Sequence, residues 1–180
     1  MPTDLFGFLS RRRFLRLGLA GLGVVLLGGT SGLLLLRGKA PHVEGLRVLD
    51  DHEYRTLCSL AAVLLPQGPV FPQGALELDL PRAFDRFLAE EPDYLRQDLR
   101  QALVLVELGP VLFDRRAVTF SRLPPDERLA HFQAWSESET LLRRQVALAF
   151  RKFMCLVFYD QPTVWPHIGY PGPSFARLSR

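Results

Sequence analysis

LLRRQVALAFRKFMCLVFYD, residues 141–160, decides the fold. Val146, Phe150, Phe153, Met154 and Val157 recur at steps of three and four, so they line one side of a helix. No glycine or proline interrupts the run, and Glu139 or Thr140 starts it.

The same period recurs upstream. Tyr54, Leu57, Cys58, Ala61, Leu64 and Leu65 share a helical face after Asp50 or Asp51, either of which caps the helix start, and Pro66 ends it. QGPVFPQGALEL (67–78) reads as an irregular loop. Asp79 precedes a short helix with proline in its first turn and Phe84, Phe87 and Leu88 on its buried side. Pro92 and Asp93 start a longer helix, expected to end near Gly109–Pro110. A further helix follows Pro124 and Pro125, with Leu129, Phe132 and Trp135 as its apolar stripe. Five or six helices, no convincing strand and no internal repeat make this an all-α chain, a small helical bundle with an irregular Pro/Gly-rich tail. Residues 1–40 read as a signal sequence or membrane anchor, 41–49 as a linker, and 50–180 as the helical domain with its tail at 161–180.

Charge is divided unevenly. The net charge is +3, yet residues 1–40 hold Arg11, Arg12, Arg13, Arg16, Arg37 and Lys39 against one acid, Asp4. Beyond them acids outnumber bases, and no basic patch interleaved with aromatics is visible, which argues against nucleic acid as a partner. Residues 17–36, LGLAGLGVVLLGGTSGLLLL, carry no charge. At ~1.5 Å per residue they reach about 30 Å, enough to cross the inner membrane's hydrocarbon core. Ser10, Arg11, Arg12, Phe14, Leu15 and the basic Arg16 before that run read as a twin-arginine signal, addressed to the twin-arginine translocation machinery. That pathway exports folded cargo to the periplasm. There is no clean A-x-A site, so release and retention as an anchor are both compatible with the sequence. Cys58 and Cys155 are too few for a disulfide framework; they read as two buried thiols or as one bridge formed in an oxidising compartment.

Residues for chemistry are scarce. His42, His52, His131 and His167 fall in no haem, zinc or di-iron pattern. Glu127 and His131, four apart, read as a solvated pair. His52 with Glu53, Asp79 with Asp85, and Glu90 with Glu91 read as surface charge. No phosphate-binding loop or nucleophile elbow is present. No catalytic residue, metal ligand or cofactor of its own is therefore assigned to this chain.

The tail YDQPTVWPHIGYPGP (159–173) places Trp165, His167, Ile168 and Tyr170, with Gly169 and Gly172, on a segment stiffened by Pro162, Pro166, Pro171 and Pro173. Rigid aromatics lose little entropy on binding, so residues 165–173 are candidate partner contacts; the other reading is that the tail covers its own bundle. With the helix AFRKFMCLVFYD before it, this tail resembles the C-terminal signature of the gluconate 2-dehydrogenase subunit 3 family. LCSLAAVLLP, GALELDLPRAFDRFLAEE and FSRLPPDERLAHFQAWSES are similar to that family's earlier segments, so the resemblance covers roughly residues 50–173. It implies a non-catalytic small subunit beside a large flavoprotein of the glucose–methanol–choline type. That partner would hold FAD and oxidise a sugar or another alcohol, and a cytochrome c subunit often takes the electrons. The resemblance further implies that the large subunit travels on the small one's export signal. The alternative is a stand-alone, membrane-anchored periplasmic helical protein serving interaction or assembly.

Overall fold

The computed structural model describes residues 38–173; the motif Ser10–Arg16, the apolar run 17–36 and the tail beyond 173 lie outside the described residues. Five α-helices follow one another: α1 (Asp51–Leu64), α2 (Leu80–Glu90), α3 (Asp93–Asp114), α4 (Pro125–Ser136) and α5 (Leu141–Tyr159). Short 3₁₀ turns sit at Phe120–Arg122 and Trp165–Ile168, and no strand occurs among the described residues.

Helix α1 is the hub and touches each of the other four helices. Asp50 caps it in a reciprocal box: its carboxylate accepts from the Glu53 N–H, and the Glu53 side chain accepts from the Asp50 N–H. Leu57, Leu60 and Ala61 of α1 are fully buried with Phe84, Leu88, Leu103, Phe150 and Met154 from three other helices. The sequence stripe on α5 is accurate, with Val146, Phe150, Met154 and Val157 buried and Phe153 packed at the rim. On α4, Phe132 and Trp135 are buried but Leu129 is exposed. On α2, Phe87 is only partly buried, stacking between Phe84 and Phe153.

Helix α3 does not stop at Gly109–Pro110; it runs on to Asp114. Proline has no N–H to place in the ladder, but its fixed φ is helical, and burial of Gly109 and Pro110 holds the last turn. Gly109 is needed for contact rather than for a break. A β-carbon there would lie 2.6 Å from the Trp135 ring and 2.8 Å from His131 Nε2. The helix ends at Arg115, which is left-handed (φ 53), while the Arg116 N–H reaches the Pro110 carbonyl at 3.0 Å.

The segment read as a linker is tied down. The Asp85 carboxylate accepts from the backbone N–H groups of Arg47, Val48 and Leu49 at 2.6, 3.0 and 2.9 Å. Asp51 accepts from the Val43 N–H at 2.9 Å, and Arg55 donates to the Lys39 carbonyl. Leu49 is buried as a result.

Candidate docking site

The tail begins where α5 stops. Gln161 folds back, its N–H on the Phe158 carbonyl and its side-chain amide on that of Val157. Val164 is then buried against the bundle. Val164 anchors the tail in the core, and the 3₁₀ turn Trp165–Ile168 follows it. Trp165 donates its indole N–H to the Tyr159 carbonyl at 2.9 Å, locking the turn to the end of α5.

The turn is closed from the other side as well. The Tyr170 N–H reaches the Trp165 carbonyl at 3.0 Å, and the two rings meet edge to face at 5.4 Å. Gly169 and Gly172 adopt positive φ (66 and 90). At Gly172 a β-carbon would also press on the Trp165 ring at 3.2 Å. Phe71, from the loop between α1 and α2, packs against Phe158, Tyr159 and His167 at 5.1, 6.3 and 6.2 Å. That loop is itself closed by Gly68 N–H to the Phe71 carbonyl and by Gln67 to the Pro72 carbonyl.

The outcome for the tail is divided. Trp165, Gly172 and Pro173 are half-buried, and Pro166, His167, Ile168, Gly169, Tyr170 and Pro171 are exposed. Val70 and Tyr159 are exposed beside the same aromatic cluster. The segment thus presents apolar and aromatic side chains on a frame closed by hydrogen bonds and prolines. Such a surface suits recognition, because little freedom is left to lose on binding.

Polar residues expected at the surface turn up inside. Asp85 is 2% exposed and Glu53 4% exposed. Glu53 receives the Arg100 guanidinium at 2.9 Å as well as its capping contact. Glu107, which carried no assignment, is fully buried. It accepts from the Thr56 hydroxyl at 3.1 Å and from the Ser121 hydroxyl and N–H at 2.7 and 3.0 Å, with Arg55 at 3.5 Å. It joins α1, α3 and the first 3₁₀ turn. His131 is buried, and its Nδ1 lies 2.7 Å from the Asp114 carboxylate. Glu127 pairs with Arg116 instead. Burial pushes the His131 imidazole below its ordinary value; Asp114 opposes this, and Arg143 and Arg116 add to it.

Each of these carboxylates is met by hydrogen-bond donors or a cation. No cluster of three or more His, Cys, Asp or Glu suited to a metal occurs among the described residues. Cys58 and Cys155 are both free and half-buried. Burial raises the Cys58 thiol to about 11 and raises Cys155 as well, which leaves both protonated and slow to react. No helix among the described residues is long and apolar enough to cross a membrane. No family model, curated protein or solved structure matches the chain.

Proposed function

We propose that this chain is the non-catalytic small subunit of a periplasmic FAD-dependent dehydrogenase of the glucose–methanol–choline type, acting on a sugar or another alcohol. It docks a large flavoprotein through residues 165–173, stabilises it, and carries it through twin-arginine export in folded form. The catalytic machinery and the FAD belong to the partner. A cytochrome c subunit completes the electron path, and residues 17–36 hold the complex at the inner membrane or are removed after export.

The observation that carries the docking part of this reading is the exposure of Ile168 and Tyr170 on a frame stiffened by the Trp165 hydrogen bond and by Pro166 and Pro171, and the flavoprotein as occupant rests on the family resemblance. A tail serving only to cover its own bundle has no use for exposed aromatics held in one conformation. The arginine pair with its apolar run and the family resemblance support the export half.

The test is a tagged pull-down from membrane and periplasmic fractions, read by visible flavin absorbance and by mass spectrometry. The expected product is a yellow complex with a large flavoprotein that lacks a signal of its own. A colourless chain recovered alone sinks the proposal and favours the stand-alone anchored module.

A further inference from the structure

Helix α5 has a second surface, which meets that of the tail at Tyr159. Its inner side packs on α2, α4 and α1. Its outer side carries Leu141, Leu148 and Tyr159, exposed by 44, 58 and 45%, with half-buried Cys155 between them. At 100° per residue these four positions fall within about 40° of arc, a narrow seam with near-heptad spacing. Arg144 and Arg151 flank it on one side, Lys152 and the exposed Leu156 on the other.

The helix is acid-free. From Leu141 to Tyr159 it has Arg143, Arg144, Arg151 and Lys152 and no aspartate or glutamate. Among the described residues none of these four cations has a carboxylate partner. Arg144 and Arg151 donate to a carbonyl and a hydroxyl of residues 138 and 136, and Arg143 lies over the Phe113 ring at 4.0 Å.

From this pattern we infer that the outer face of α5 docks a single amphipathic helix of another protein, one whose apolar seam is flanked by glutamate or aspartate. Charge decides the occupant. A second copy would set two acid-free helices, each with Arg144, Arg151 and Lys152 beside its seam, against one another, and like charges across a seam repel. The chain's own ends fit no better: residues 1–37 hold five arginines against Asp4, and 174–180 hold Arg177 and Arg180 with no acid. Width decides against lipid. A helix lying in a bilayer surface buries a broad unbroken apolar face, whereas here Arg144 and Arg151 border the seam on one side and Lys152 separates it from Leu156 on the other. The inference does not require the partner to carry flavin, so it stands or falls apart from the proposed function.

Cys155 offers a native probe on the seam. The full chain, in zwitterionic nanodiscs, is treated with an excess of water-soluble maleimide at mildly alkaline pH, where the raised thiol still reacts at a measurable rate, and labelling of Cys155 is followed by mass spectrometry. The added probe is a synthetic helix of about three heptads with leucine on its seam and glutamate beside it. The expected result is labelling of Cys155 slowed about tenfold or more, an effect that weakens with salt. Leu148→Glu, and separately Arg144→Glu with Arg151→Glu, should abolish the protection while circular dichroism stays unchanged, since all three side chains are at the surface. Equal protection by a lysine-flanked helix, or none by either peptide, overturns the inference. So does protection in phosphatidylglycerol nanodiscs without peptide, which would assign the face to lipid.

Discussion

Gly109 and His131 meet at one point, and both are testable there. The place of a β-carbon on residue 109 is already filled by the Trp135 ring and His131 Nε2. Gly109→Ala should therefore cost about 2–3 kcal/mol, read as a lower denaturation midpoint with unchanged slope. His131 adds a pH dependence with a definite sign. Its folded value is lowered from the ordinary 6.5. Stability is full above 6.5 and is lost as pH falls below it, because the unfolded chain takes up a proton that the folded chain resists. Thermal melts from neutral pH to about pH 5 should show this fall, and His131→Phe should flatten it. Asp85 is the third such residue. Asp85→Asn keeps the shape but loses the charge that three N–H groups share, and should cost about 2–3 kcal/mol. Sequence reading placed Asp85 at the surface because nothing apolar and concave was implied around it. Its position said otherwise: it lies in step with Pro81, Phe84 and Leu88 on the buried face. Glu53 is likewise in step with Leu57 and Leu60. What sequence alone could not supply is the partner, which for Asp85 is backbone some 36 to 38 residues away.

At the scale of elements, periodicity made the helices legible, since burying one stripe is what forms them. It failed at the end of α3, where a Gly–Pro pair resembles a stop but serves packing. The irregularity of the tail was also legible, because four prolines forbid a helix ladder. Its particular geometry was not, resting on contacts of Trp165 with Tyr159, Tyr170 and Gly172. Ending the chain after Asp160 removes buried Val164 and should cost about 1–3 kcal/mol, with helical circular dichroism retained. Complex formation should fall far more than that. A helical signal that collapses with the truncation would instead make the tail part of the core. Ile168→Ala with Tyr170→Ala isolates the surface, weakening partner capture while leaving the melting temperature within a degree or two of the parent, as exposed substitutions usually do.

For the whole molecule, the described residues form a helical body, and the address that would move it is written in the sequence ahead of it. Replacing Arg11 and Arg12 by lysine keeps the positive charge while removing the arginine pair. Fractionation should then find both this chain and the proposed flavoprotein partner in the cytoplasm; normal export of the partner would separate the two. The amino-terminal end of the body gives such attachment a mechanical meaning. Tension entering at residue 38 would reach the Lys39 carbonyl held by Arg55, then Val43 held by Asp51, and then the three N–H groups gathered on Asp85. The first two of these fasteners belong to α1, the helix on which the core is assembled, and Asp85 shares the load with α2. Asp85 thus acts as a strain relief, a fastening that splits the pull between two helices instead of leaving it on one.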